Sequence, residues 1–354
     1  MANADDKPAL KITLEDLAKV TLPRAAQTSA PGVAADRTAR QYGNISTPDA
    51  DTVVVEEGKS NIFLQGWFYL GVAGLLGALM GWAICEPRFI DGEGHRWGNI
   101  WIMPLVLALM CLGFGVAESL VERSFRKAMW RGLLVLLIGI VFGFVFDFFA
   151  EIAYRIALSI CYELGVRTHH NPMVWIARGL AWIVFGVAGG IVYGLVDRSG
   201  KKIRYGILGG IIGAGLGGMI FDPISFATRT GALSRAVGFG LLGLATGMAI
   251  GIVESALKDR WLYVASGPLA GKQFILYKPV TVIGSSQQCD IYLFKDTSIL
   301  PQHGSIELRG AQTFFHAQGQ AYVSGQPARN RALQSGDLIQ IGRYAFHFRE
   351  RHRN

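Results

Sequence analysis

At 354 residues, with 51% hydrophobic and only 17% charged side chains, the chain is too apolar for a soluble protein of its length. Its mean hydropathy of +0.32 points to several bilayer spans. The net charge of +8 fits juxtamembrane cations facing anionic lipid, and no basic stripe interleaved with aromatic residues marks a nucleic-acid interface.

Positions 1–60 form a hydrophilic arm rich in Ala, Thr, Asp and Pro, expected to be mostly disordered because it holds too little apolar surface to order itself. It lacks the basic start, apolar stretch and small-residue cleavage site of a secretory signal, so it is expected to stay on the side where it is made. Within it Leu10, Leu14 and Leu17 fall at helical spacing, with Thr13 and Asp16 as a loose cap, which predicts a short surface helix.

Six apolar runs follow, at about 62–85, 100–119, 132–154, 173–195, 206–223 and 235–254. Each approaches the ~20 residues that cross a bilayer, the fifth being the shortest. Cations gather after the second and fourth runs, as Arg123, Arg126, Lys127 and Arg131, then Arg198, Lys201, Lys202 and Arg204. Such loops favour the cytoplasm, so six spans over 61–257 place both termini there, as in a multi-pass protein of a bacterial inner membrane.

Three segments align as glycine, six intervening residues and an acid: Gly115 with Glu122, Gly190 with Asp197, and Gly247 with Glu254. The odd-numbered runs end in Cys85-Glu86-Pro87, Phe146-Asp147-Phe148 and Phe221-Asp222-Pro223, and Val55-Glu56-Glu57 is a faint further copy before the first run. The pattern predicts an α-helical transmembrane bundle of three repeated hairpins, its many glycines permitting close backbone approach. Charged groups at membrane depth are functional candidates. Glu118 lies one turn deeper than Glu122, Asp147, Glu151 and Arg155 share a helix face, and Asp147 sits some ~22 Å along its span. Two accounts stand open for them. Either Arg178 or Arg235 neutralises an outer acid, or Glu118 and Asp147 line an ion or proton path.

From Trp261 the language changes to short alternating strands at 261–265, 273–277, 281–283, 290–293, 305–308, 313–316, 321–323, 338–341 and 344–348, the spacing of a β-sandwich over 258–354. Gly284, Gly325, Gly336 and Gly342 fall where a positive φ would be tolerated. Only Lys258-Asp259-Arg260 links the sandwich to the last span, so it is expected to hang close under the bilayer. The run Ser266 to Phe274, Val282-Ile283-Gly284, Asp290-Ile291, His303 and Gly336-Asp337-Leu338-Ile339-Gln340-Ile341-Gly342 resembles a forkhead-associated (FHA) domain, which implies a sandwich that reads phosphothreonine. In binding members of that family an Arg follows the first motif glycine, a Ser stands three before the motif histidine, and an Asn precedes a later loop glycine. Here those places hold Ser285, Leu300 and Ser324. The exchange removes charge-assisted contacts worth about 1.5–3 kcal/mol each, so a phosphothreonine partner is not expected. Ser286, Arg329 and Arg331 are the residues that could rebuild a phosphate site. The resemblance gives Gly284 and His303 structural roles and leaves Ser285, Ser286, Leu300, Gln302, Ser324 and Gly325 as a partner-binding loop face. His316 and His347 lie on strands without ligand spacing, and Cys85, Cys111, Cys161 and Cys289 are expected to be small apolar fillers.

No nucleophile elbow, phosphate-cradling loop, metal cluster or catalytic carboxylate pair is present, so neither catalysis nor a cofactor is expected. The leading expectation is a membrane adaptor that presents a degenerate FHA-like domain to a cytoplasmic protein or to a second copy. The alternative is a channel or transporter regulated by that domain, and a third reading is a phosphorylation-dependent receptor.

Overall fold

A computed structural model describes residues 62–351 except 94, 169 and 228–230. The arm at 1–60, its expected helix at 10–22 and the faint repeat copy at 55–57 lie outside the described residues. Among the described residues six helices are long and apolar enough to cross a membrane: α1 Gly66–Cys85, α2 Trp97–Val121, α3 Phe125–Glu163, α4 Pro172–Leu195, α5 Gly200–Ala227 and α6 Gly231–Leu257. Helices α2, α3, α5 and α6 outrun the expected spans at both ends, α3 and α5 by the most. Helix α3 has 39 residues, ~58 Å at the α-helical rise against a ~30 Å hydrocarbon core. The apolar run marks only its middle, because Arg126, Lys127 and Arg131 before it and Arg155 and Glu163 after it continue the same helix. Helix α5, the shortest of the expected spans, has 28 residues because Lys201, Lys202 and Arg204 belong to its first turns.

Each helix packs on the next, and α6 returns to α1, so the six form a closed ring. Within it α2 also touches α4 and α6, and Phe114 of α2 fills the space between Gly74 of α1 and Gly189 of α4. Glycine makes the ring possible. A Cβ on Gly186 or Gly210 would strike the carbonyl of the other across the α4–α5 contact, and Gly74 and Gly243 stand in the same relation across α1–α6. Lipid supplies little hydrophobic drive between helices, so this backbone-to-backbone approach carries the dispersion and packing. The helix ends are set locally. Asn171 caps α4 by accepting a hydrogen bond from the Met173 amide at 3.0 Å, with Pro172 at the first helical position. Arg123 and Arg198, each directly after a repeat acid, adopt left-handed φ of 55° and 51° and close α2 and α4 with matching Schellman hydrogen bonds, Ser124 N to Ser119 O and Ser199 N to Gly194 O.

Two residues after α6 the chain enters the β-sandwich. One sheet runs β2(Gln273–Ile275)-β1(Arg260–Ser266)-β11(Tyr344–Glu350)-β10(Leu338–Ile341)-β7(Ala321–Val323)-β8(Gln326–Pro327). The other runs β4(Ile291–Tyr292)-β3(Val280–Gly284)-β5(Gly304–Arg309)-β6(Gln312–Ala317)-β9(Asn330–Leu333). Neighbours are antiparallel except β3 and β4. Strands β8 and β9 were not expected: Pro327 and the polar Asn330-Arg331 carry no strand pattern, and pairing with β7 and β6 at the sheet edges imposes their extended form. The core is the inward set of alternating residues, including Leu262, Val264, Ile283, Phe315, Phe346 and Phe348. Gly325, Gly336 and Gly342 have positive φ, whereas Gly284 does not; a Cβ there would strike the Pro301 carbonyl, so close approach is what requires glycine. Helices and sandwich belong to one compact unit.

Overpacking a filled interface costs about 1–3 kcal/mol. Gly210→Val is therefore expected to lower the thermal stability of the detergent-solubilised chain by at least that much, while Gly200→Ala, with open space around the added carbon, leaves it unchanged.

Candidate functional site

Two polar regions hold the residues singled out from the sequence. The first is the loop end of the sandwich. Ser285 spends its hydroxyl on the Ile299 carbonyl at 2.8 Å, and its amide meets the Leu300 carbonyl at 2.9 Å. Ser286 Oγ accepts from the Gln288 amide at 3.2 Å. Ser324, at φ 50°, donates to Asp337 Oδ1 at 2.8 Å. His303 is buried: its Nδ1 accepts from the Leu300 amide at 3.1 Å, which leaves Nε2 to donate to the Gln320 carbonyl at 3.0 Å. It braces the two loops and presents nothing outward. Leu300 is 44% exposed, and Gln302, Ser324 and Gly325 are exposed beside it. Arg331 is turned to the Val323 carbonyl at 3.0 Å, and Arg329 is exposed. The Ser285 and Ser324 hydroxyls are thus engaged as donors, and the charged side chains of these loops are Lys295 and Asp296 between β4 and β5, Arg329 after β8 and Asp337 before β10.

The loop end is held from behind by Asp296. Burial opposes its ionisation, but hydrogen bonds from the Ser298 hydroxyl at 2.6 Å, the Arg343 amide at 2.8 Å and the Ser298 amide at 3.0 Å outweigh it and hold the carboxyl below its ordinary range. Burial likewise pushes the Cys289 thiol up, and all four cysteines are buried free thiols.

The second region is the bundle, where the charged residues fall at its two ends. At the end away from the sandwich, Arg178 of α4 meets Asp222 of α5 at 2.9 Å and Tyr154 of α3 at 3.1 Å. Arg235 of α6 grips Glu86, just past α1, through both carboxylate oxygens at 2.6 and 3.0 Å, and reaches Asp91 at 2.9 Å. So each of these arginines neutralises the acid of the next odd helix around the ring. Nineteen residues before Glu122, where Arg178 precedes Asp197 and Arg235 precedes Glu254, the chain has Met103. Asp147 accordingly has no cationic partner among the described residues, while Glu151 and Arg155 form an exposed pair with each other at 2.7 Å.

At the sandwich end, Lys202 of α5 is 2% exposed and sits at the centre of the ring. It bonds Glu118 at 3.0 Å and also Asp197, which Arg131 engages from the other side. Tyr193 donates to Glu254 at 2.9 Å, and Tyr277 of the sandwich donates to the other oxygen at 2.7 Å. Burial, with Glu254 beside it, holds the Tyr277 phenol well above its ordinary range, so it stays a donor. Sequence reasoning singled out Glu118 but neither Lys202 nor Tyr277; a lysine in the first turn of a glycine-rich span reads as a loop cation until the ring closes around it. Glu118 and Asp147 lie at opposite ends of the bundle, with Phe114 and Leu107 buried between those ends.

Residues 263–352 match the family model of the cytoplasmic domain of the inner membrane component of a type III secretion system. The chain is 32% identical over 123 residues to the oxoglutarate dehydrogenase inhibitor of Corynebacterium efficiens, spanning 34% of this chain and 83% of that protein. It is 30% identical over 130 residues to the glycogen accumulation regulator GarA of Mycolicibacterium smegmatis, spanning 36% and 72%. This chain belongs to the FHA-domain proteins. Among solved structures, the FHA domain of the CT664 protein from Chlamydia trachomatis shares 22% identity and covers 27% of this chain and 100% of that one, at a TM-score of 0.25. In this FHA domain Ser285 follows Gly284, Leu300 stands three residues before His303 and Ser324 precedes Gly325.

Two outcomes are expected. Met103→Arg supplies the missing guanidinium and stabilises the chain by about 1 kcal/mol in thermal denaturation, a gain that Asp147→Asn in the same chain removes. Because Asp296 is more acidic folded than unfolded, its contribution is full above its unfolded pKa near ~4 and is lost as pH falls through the folded value. Hydrogen exchange at Gly342–Tyr344 should therefore be faster in Asp296→Asn than in the wild type at pH 6, with the two converging only once the pH has fallen below the folded pKa of Asp296.

Proposed function

We propose that this chain is a multi-pass inner-membrane adaptor whose six-helix bundle presents the FHA domain to a cytoplasmic protein, and that it recognises that partner without a phosphate. The observation that carries the reading is the state of the loop face. The hydroxyls of Ser285 and Ser324 are committed to Ile299 and Asp337, and an exposed leucine, Leu300, stands where a phosphate-binding serine would be. A phosphate brings nearly two negative charges and is rewarded by paired cations. Here it would meet Leu300 and the Asp337 carboxylate, with Arg331 turned to the Val323 carbonyl and Arg329 the exposed cation at the margin. The surface suits a neutral, partly apolar contact centred on Leu300, with Gln302 and the engaged serines as a polar rim.

The relatives support an action exerted by binding. Two are named as an inhibitor and a regulator, and the matched family is a membrane-apparatus component. Membrane attachment adds effective concentration, since a partner confined to the same surface needs only modest intrinsic affinity. The channel or transporter reading gains no support from the bundle, where buried Leu107, Met110 and Phe114 fill the interior between the two charged ends.

The test is binding by the full chain in nanodiscs to a phosphothreonine peptide library and its unphosphorylated counterpart. Equal, weak binding to both sets is expected. Micromolar preference for phosphorylated members, lost in Arg329→Ala or Arg331→Ala, would overturn the phosphate-free reading. Proteins captured by proximity labelling with the wild type should be lost, about tenfold or more in yield, with Leu300→Glu.

A further inference from the structure

Glu122 at the sandwich end of α2 and Glu254 of α6 are each completed by a group from the FHA domain, Glu254 accepting from Tyr277 as well as from Tyr193 of the bundle. Glu122 is 2% exposed, and its close cationic partner is Lys272 of the FHA domain at 2.8 Å, itself 1% exposed; Lys127 stands further off at 3.8 Å. Lys272 leads into β2, an edge strand whose unpaired backbone would otherwise be open to other chains. Tyr277, just beyond β2, reaches Glu254 of α6. In the opposite direction, Lys127 of α3 approaches the carbonyls of Cys289 and Asp290 at 3.4 and 3.3 Å, and Arg123 lies 5.8 Å above the Phe294 ring. The contacts therefore follow one edge of the sandwich, from 272 to 294, and meet the bundle at both the α2–α3 turn and α6.

A lysine buried this completely between the domain and the bundle is costly unless a carboxylate neutralises it, and among the described residues the carboxylate bonded to Lys272 is Glu122 of the bundle. We propose that Glu122 and Glu254, two of the three repeated hairpin acids, form a socket for the FHA domain, and that Lys272 and Tyr277 lock the domain edge-on against the end of the bundle as a fixed lid. The third acid, Asp197, is the one already neutralised from within, by Arg131 and Lys202. The lid goes beyond the adaptor reading by fixing the posture in which the loop face is held, and it stands or falls whatever the partner proves to be. Edge-on docking leaves Leu300, Gln302 and Ser324 exposed, while Phe294, at the start of the Leu300 loop, lies against Arg123 of the α2–α3 turn. A partner thus meets them close to the bilayer surface.

The test is double electron–electron resonance on the full chain in nanodiscs, with spin labels at Arg204→Cys on α5 and Gln326→Cys on the FHA domain. Both positions are exposed and the four native cysteines are buried. The wild type is expected to give one narrow distance distribution. Lys272→Glu and Glu122→Lys should each broaden it, shifting the docked fraction by about 100-fold in its equilibrium constant, and the double exchange Glu122→Lys with Lys272→Glu should restore the narrow distribution. Hydrogen-exchange protection of Ile339–Ile341 is expected to persist in every variant, which separates undocking from unfolding. A broad distribution in the wild type, single variants that leave it narrow, protection lost along with it, or a double exchange no better than either single change would each overturn the lid.

Discussion

Charge neutralisation at the two ends of an apolar ring is the constraint on which the rest of this structure depends. The bundle is held together by glycine contacts that tolerate almost no added volume, and such packing leaves no room for hydrated ions inside. The acids that end the spans are therefore paired at the rim, with Asp147 the exception among the described residues. On one rim Arg178 and Arg235 reach across to the neighbouring helix; on the other Lys202 reaches across the ring to Glu118, Arg131 engages Asp197, and Lys272 comes in from the FHA domain. The helices are thus tied to one another where lipid cannot tie them, and the FHA domain enters the same network through Lys272 and Tyr277.

That network explains why the junction between helix and sandwich can be as short as Lys258-Asp259. A flexible module needs a linker long enough to turn, whereas α6 ends at Leu257 and β1 starts at Arg260. Tyr205 and Lys201 of α5 brace the joint, through the Leu257 carbonyl at 2.9 Å and Asp259 at 3.1 Å. The loop face is consequently a property of the whole molecule: its chemistry is set by Leu300 and the engaged serines, and its posture by the hairpin acids.

Much of this was legible in the residues. Six apolar runs gave the six helices, because length and hydropathy are one-dimensional quantities. Period-two alternation and turn glycines marked most strands, and the order of Gly284, Asp290, His303 and the Gly336–Gly342 run marked the FHA fold. What escaped had its cause in three dimensions. The ends of α3 are amphipathic and so invisible to a hydropathy count, β8 and β9 are extended only because β7 and β6 pair with them, and Gly284 serves close approach where turn spacing suggested a positive φ. The repeat acids stood out by spacing, but their partners did not. Lys202 lies in another hairpin and Lys272 in the sandwich, so no local pattern links either to Glu118 or Glu122.

The most direct measurement is photo-cross-linking in native membranes from a benzoylphenylalanine placed at Tyr277 in the full-length chain. The account predicts intramolecular products mapping to α6 near Glu254, to α4 near Tyr193 and to α5 near Lys202, because those groups surround the Tyr277 ring. Products formed only with other proteins, or none within the chain, would contradict it.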